Sequence, residues 1–286
     1  MNWASRYRRT AEELPEAPAT PDEAVRRLLE GNAEFVREVV PDVPAPSTVG
    51  LPTAAPTAPP PRQAPFCIIL GCSDARVPSE LVFGAGPNQQ FVVRVAGNVL
   101  GEECLGSIEY ALHTFKESIH LLVVLGHTRC GAVTAAVDAY LRPAEHNAIA
   151  FTRSLRAVVN HALIAARGAA IALEESWGSK VADDPGYRDA LIETSTYLNA
   201  AMTAYHLQSE LRPEQQFGVE VVYGVFDIAT CRVIGPDLDS TTDDTSKLAP
   251  APANSYELTA LGRVIAGYPA VARYLTTTRQ GNQFDA

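Results

Sequence analysis

Phe66-Cys67-Ile68-Ile69-Leu70-Gly71-Cys72-Ser73-Asp74-Ala75-Arg76 is the stretch on which the fold turns. Five apolar residues run together and then break at Gly71 into a polar, charged end. A run that short has the length of a strand. Without alternation it is buried on both faces, as strands are in a parallel sheet covered by helices. Working outward, Phe91-Val92-Val93-Arg94-Val95 and His120-Leu121-Leu122-Val123-Val124-Leu125 are further runs of this kind, and Val219 to Phe226 is a fourth. Helical periodicity fills the gaps. Cys104 to Lys116 puts Leu105, Ile108, Ala111, Leu112 and Phe115 on one side, and Gly131 to Tyr140, residues 147–177 and residues 186–210 also read as helices. Strands alternating with helices predict an α/β fold, a mostly parallel central sheet with helices on both faces.

The flanks differ in character. The first forty residues read as an N-terminal helical arm, with Thr20-Pro21-Asp22-Glu23 as a helix start: Thr20 caps, Pro21 takes the first position and acids fill the first turn. Gly31-Asn32 is expected to interrupt that helix. Between 41 and 62 prolines dominate, each lacking an amide donor, so an extended arm is expected there. Residues 236–254 are rich in Asp, Ser, Thr and Pro and read as a loose link before a short helix near Ser255. The chain thus divides into 1–62 (helices and arm), 63–235 (core) and 236–286 (linker and helical extension).

Composition narrows the function classes. Of 286 residues, 47% are hydrophobic and 20% charged, which excludes a mostly disordered chain. A net charge of −10 argues against a nucleic-acid binder and gives no reason to expect an anionic membrane as partner. MNWASRYRRT is not followed by an apolar run, so no cleaved secretory signal is expected, and no stretch of eighteen consecutive apolar residues suggests a membrane span. Five scattered cysteines do not make a disulfide framework; a reducing cytoplasm is the expected compartment, and the thiols become candidates for core, metal or catalysis.

Two strand ends carry the chemistry. The first is Gly71-Cys72-Ser73-Asp74-Ala75-Arg76 and the other is Gly126-His127-Thr128-Arg129-Cys130-Gly131. Ligands collect at the carboxyl ends of strands in such sheets, so neighbouring strands would bring Cys72, His127 and Cys130 together. Two thiolates and an imidazole suit Zn²⁺, and the positive end of the helix starting near Cys130 favours thiolate. Three ligands leave a fourth position. Water there makes a catalytic site, since Zn²⁺ supplies hydroxide near neutral pH; Asp74 there would close it. An Asp74 paired with Arg76 stays ionised. Spacing alone does not separate a zinc site from coincidence. Cys67 in mid-strand, Cys104 on a helix face and Cys231 at a turn read as core. His113, His120, His146, His161 and His206 have no partners at ligand spacing.

Cys72-Ser73-Asp74-Ala75-Arg76, Arg94-Val95-Ala96-Gly97-Asn98, Ile108-Glu109-Tyr110-Ala111 and Gly126-His127-Thr128-Arg129-Cys130-Gly131-Ala132 resemble the signature segments of the β-class carbonic anhydrases, in that family's order and near its spacing. Gly31-Asn32 with Phe35, and Tyr223 to Asp227 with Thr230, extend the resemblance over about residues 22–235. The resemblance implies reversible hydration of CO₂ to bicarbonate by zinc-bound hydroxide, with Cys72, His127 and Cys130 as zinc ligands and Asp74–Arg76 as the dyad beside the metal. It further implies that Gln63 donates a hydrogen bond to substrate, often in the partner subunit, that Phe91 and Tyr110 line the CO₂ pocket, that Gly131 supplies an amide near the zinc-bound ligand, and that a homodimer is the minimal unit.

Some positions depart from the pattern. Ala75 stands where many members have Ser, Val95 where many have Asn, and Cys231 replaces a common Gly; Arg129 is bulkier than usual and either holds an anion or is solvated. Members that switch themselves off through the dyad Asp commonly carry a Trp three residues before the first zinc Cys. Ile69 occupies that place, so Asp74 is expected to stay with Arg76. Alternatives on the same ligand set are a CS₂ or COS hydrolase and a non-catalytic zinc or bicarbonate-sensing module; the intact dyad argues against the latter.

Overall fold

The four apolar runs form parallel neighbours in one sheet. They are β1 (Cys67–Cys72), β2 (Gln90–Val95), β3 (Leu121–His127) and β4 (Glu220–Phe226), in spatial order β2-β1-β3-β4. In this computed structural model residues 18–39, 62–144, 152–211, 218–239 and 247–276 are described. The prolines from 41 to 61, the arm before residue 18, and the first residues of the helix read from 147 lie outside them. Every residue of β1 and β3 is buried. Their side chains alternate between two faces, and each face has its own helices.

On one face Ile68, Leu70, Leu122, Val124 and Tyr223 pack against Ile108, Ala111 and Leu112 of α3 (Glu102–Thr114) and against the alanine-rich sides of α5 (Arg153–Trp177) and α6 (Tyr187–Glu210). On the other, Cys67, Ile69, Leu121, Val123 and Phe226 meet Ala24 and Leu28 of α1 (Pro21–Val39) and Val82 and Phe83 at the end of α2 (Ser79–Val82). Each large apolar side chain buried this way contributes about 1.5–3 kcal/mol. Among the described residues α5 is long and apolar enough to cross a membrane, but Ala162, Ala165, Ala166, Ala169 and Leu173 are buried in the core.

The start of α1 follows its sequence. Glu23 N–H donates to Thr20 Oγ1 (3.2 Å), and Glu23 Oε2 accepts from Ala19 N–H (2.7 Å), a reciprocal cap. The expected interruption at Gly31-Asn32 is absent: α1 runs unbroken to Val39. These two residues are where the helix meets the rest of the molecule. A Cβ on Gly31 would lie 1.8 Å from the Phe83 carbonyl oxygen, so only glycine lets α1 sit that close. Asn32, fully buried, donates to the carbonyls of Val82 (2.8 Å) and Cys231 (3.0 Å) and accepts from Val233 N–H (3.1 Å).

The stretch read as a loose link is tighter than expected in its described parts. β5 (Val233–Ile234) and β6 (Ala249–Pro250) both pair antiparallel with β4, and Ala251 N–H donates to Val221 O (2.9 Å). Past it, Asn254 caps α7 (Ser255–Ala266) by accepting from the amides of Tyr256 and Glu257. A short α8 (Pro269–Ala272) follows.

Candidate metal centre

Cys72 is the last residue of β1 and His127 the last of β3, and these strands are adjacent. Cys130 immediately precedes α4 (Gly131–Leu141) as its N-cap. The turn between His127 and Cys130 is compressed by Arg129, at φ 57°, a left-handed conformation that costs a non-glycine residue about 1–3 kcal/mol. The result is that one ligand atom from each of Cys72, His127 and Cys130 lies within 4.8 Å of the others, with the sulfurs 4.0 Å apart. All three are buried, at 5%, 1% and 1% exposure.

The histidine is oriented. Nδ1 is 2.9 Å from the Thr128 carbonyl oxygen, which can only accept, so Nδ1 carries the hydrogen. That leaves Nε2 bare, buried and without a hydrogen-bond partner among the described residues. An orphaned nitrogen beside two sulfurs is what a tetrahedral ion with N/S preference satisfies. The thiols point the same way. Cys72 is pushed well below the usual thiol range by the hydrogen bond from Cys130, helped by the amides of Asp74 and Gly97 against the opposing effect of burial. Cys130 is pushed up, by hydrogen bonding to the Cys72 sulfur, by burial and by that sulfur's charge. Bringing both sulfurs to thiolate at this distance is what a cation between them would do. The residues fit Zn²⁺.

Beside this cluster, Arg76 Nε and Nη2 donate to the two oxygens of Asp74 at 2.9 and 2.7 Å, and the Arg76 amide adds a third bond at 2.9 Å. The side-chain bonds to Arg76 hold the Asp74 carboxyl far below its ordinary range, with burial opposing them. Asp74 Oδ2 lies 3.8 Å from His127 Nε2, so the charged carboxylate faces the cluster. Arg94 braces the same loop from β2, donating to the carbonyls of Cys72 (2.9 Å) and Asp74 (2.6 Å).

The other sequence-derived site residues fall elsewhere. Gln63 is exposed and precedes β1, at the amino end of the sheet, where Asn88 bonds to both its neighbours, the Arg62 carbonyl and the Ala64 amide. Phe91 sits in β2 opposite Ile68, four residues or about 13 Å short of Cys72. Its ring lies 6.4 Å from that of Tyr110 and 6.0 Å from that of Phe115. Within one chain, then, the ligands and the dyad meet, and Gln63, Phe91 and Tyr110 do not join them. Among the described residues a Cβ on Gly131 would meet nothing within 4 Å. Gly97, at φ 70°, also approaches the cluster: its amide donates to Cys72 Sγ at 3.3 Å. Its carbonyl accepts from Asn199 Nδ2 of α6 at 2.8 Å. Neither role was legible: the segment Arg94 to Asn98 shows its residue types in sequence, but not where a backbone amide points. Cys67 and Cys231 are buried in the core and Cys104 packs partly against it, as read.

A parallel α/β sheet with a buried two-thiol, one-imidazole cluster at its strand ends is a scaffold whose donor set could hold one metal ion. The family model described as "Carbonic anhydrase" matches residues 67–233, more than half of the chain, and the chain belongs to that family, in its β class. Similar proteins include carbonic anhydrase 2 of Mycobacterium tuberculosis, 41% identical over 121 residues (42% of this chain, 54% of that one). The carbonic anhydrase of Mycolicibacterium smegmatis is 40% identical over 121 residues (42% and 55%). The chain spans about half the length of these curated relatives. Among solved structures, the Coccomyxa β-carbonic anhydrase in complex with acetazolamide aligns at 21% identity with a TM-score of 0.46 (60% of this chain, 72% of that one). The β-carbonic anhydrase CcaA aligns at 22% with a TM-score of 0.48 (66% and 81%).

Proposed function

We propose that this chain is a zinc-dependent carbonate dehydratase, a lyase that converts CO₂ and water reversibly to bicarbonate and a proton. The observation that carries the reading is the buried Cys72–His127–Cys130 trio with its bare Nε2, beside a carboxylate kept ionised by Arg76. Those three residues would hold the ion, and zinc bound there would bring the pKa of water into the neutral range. The protein's own part is orientation. Asp74, fixed by two bonds from one guanidinium, can only accept, so it holds the attacking water by its hydrogen and leaves an oxygen lone pair for CO₂. Gly97 N–H and the Arg94 clamp keep the Cys72 loop in place while the substrate turns over. Ile69, fully buried among apolar neighbours, offers no donor to hold a second bicarbonate, which favours the open state with Asp74 on Arg76.

The working unit in this proposal is a homodimer. β2 is an edge strand, only partly buried along its length, and Tyr110 behind it is 57% exposed. A partner laid along that edge would cover the Phe91–Tyr110–Phe115 rings and carry Gln63 away from its own sheet end toward the other subunit's site, which it cannot reach within its own chain. Five scattered cysteines that make no disulfide framework favour a reducing compartment, the cytoplasm.

Stopped-flow CO₂ hydration by the zinc-loaded protein tests the reading, with COS as the competing substrate. Turnover of CO₂ well above buffer is expected. Hydrolysis of COS with no CO₂ turnover would replace the proposal. In parallel, Cys130→Ala should carry far less zinc than wild type by elemental analysis, and full retention of zinc would remove the site.

A further inference from the structure

The loop after β4 takes no part in the chemistry above, yet it is tied to the turn that presents His127. Thr128, 5% exposed, is gripped at two points. Its amide donates to Phe226 O at 3.0 Å. Its hydroxyl donates to Asp227 Oδ1 at 3.1 Å and accepts from Ile228 N–H at 3.0 Å. Asp227 is itself fixed: Oδ1 also accepts from Ala229 N–H (3.1 Å) and Oδ2 from the Thr230 hydroxyl (2.7 Å). The turn closes with Asp227 N–H to Arg232 O (2.8 Å) and Cys231 N–H to Asp227 O (2.7 Å). Asn32 of α1 then pins the Cys231 carbonyl.

The direction of every bond in this chain is determined. A carboxylate only accepts, so the Thr128 hydroxyl gives its hydrogen to Asp227 and turns a lone pair to Ile228 N–H. With amide and hydroxyl both held, the remaining polar group of Thr128 is its carbonyl, which faces His127 Nδ1 at 2.9 Å. We infer that Asp227 is a positioning residue for the metal centre. Acting through Thr128, it holds His127 in the Nδ1–H tautomer, so that Nε2 offers its lone pair to the point shared by Cys72 and Cys130. The opposite tautomer would put a hydrogen on the ligating nitrogen and leave the Thr128 carbonyl without this bond in a buried turn. Partners of metal-ligating histidines of this sort commonly set metal affinity.

The inference rests on the metal-site reading of the three residues, and its test is readable without metal. Nitrogen-15 NMR of the metal-free protein reports which imidazole nitrogen of His127 carries hydrogen. Wild type and Thr128→Ser, which keeps the hydroxyl, should show hydrogen on Nδ1 alone. Thr128→Val and Asp227→Ala should show mixed tautomers and bind zinc about 10–100-fold more weakly by chelator competition. Thr194→Val on α6 breaks a buried hydroxyl bond to Ala190 O far along the chain and serves as a stability control; it should leave tautomer and affinity unchanged. Should Asp227→Ala fail to fold, Thr128→Val, of nearly equal volume, decides. Hydrogen on Nδ1 alone in Thr128→Val, or wild-type zinc affinity in it, overturns the inference. Absence of zinc uptake by the wild type would instead count against the proposed function, and the tautomer would still test Asp227.

Discussion

Asp74 owes its orientation, and most of the lowering of its pKa, to one neighbour. Arg76 supplies two side-chain bonds and an amide, and its removal leaves the carboxylate with His127 Nε2 3.8 Å away as the next group it faces. Arg76→Ala should therefore lose about 100-fold or more in CO₂ turnover, in the range for a misplaced acid–base group, while keeping its full zinc content. Turnover within a few-fold of wild type would show that the pair does not matter. The legibility of the site follows the same division. Cys72, His127, Cys130, Asp74 and Arg76 stand out in sequence because thiol, imidazole and carboxylate at strand ends are chemically rare. Gly97 acts through its own amide, Arg94 on two backbone carbonyls, and Asp227 on a hydroxyl ninety-nine positions away; none of these contacts has a signature in a sequence.

Among the elements, α4 and α6 are joined by a polar latch whose strength depends on pH. Asp138 of α4 accepts two bonds from Arg188 of α6, at 2.8 and 2.9 Å, and one from Arg142 at 3.3 Å. Those bonds, Arg188 first, depress the Asp138 carboxyl pKa. A carboxyl depressed in the folded state stabilises it above the unfolded pKa of about 3.9, and the effect fades as pH falls through the folded value. Both arginines are half-exposed and screened, so Asp138→Asn should cost only about 1 kcal/mol or less at neutral pH. In urea melts the gap between variant and wild type should close as pH drops below about 4. A gap that persists unchanged in acid would mean that packing, not charge, holds the latch. The strands and long helices were readable because uninterrupted apolar runs and 3.6-residue periodicity survive in isolation. The continuity of α1 was not. Glycine weakens a helix locally, and what retains Gly31 is the Phe83 backbone, fifty-two positions away. Nor were β5 and β6, since two residues are too few to show alternation.

For the whole molecule, the proposed dimer makes the exposed edge a functional surface. Tyr110→Lys would put a charge into the ring cluster and should shift the protein toward monomer by sedimentation velocity, with zinc retained and CO₂ turnover reduced because the partner's Gln63 no longer reaches the site. A variant that stays dimeric and fully active would place the subunit contact elsewhere. A different consequence follows from Asn32. Its amide joins residues 50 positions onward at Val82 and 199 and 201 positions onward at Cys231 and Val233. On the ribosome α1 is made first of the described elements, yet its anchoring side chain finds no acceptor at the far end until some two hundred further residues have emerged. At about 5–20 residues per second that is a wait of about 10–40 s. Until β1 and β3 emerge, the apolar face of Ala24 and Leu28 has no sheet to cover. The first of these helices to be synthesised thus waits for the last strands of the sheet before it is locked, and the nascent chain meanwhile carries a sticky surface for chaperones to guard.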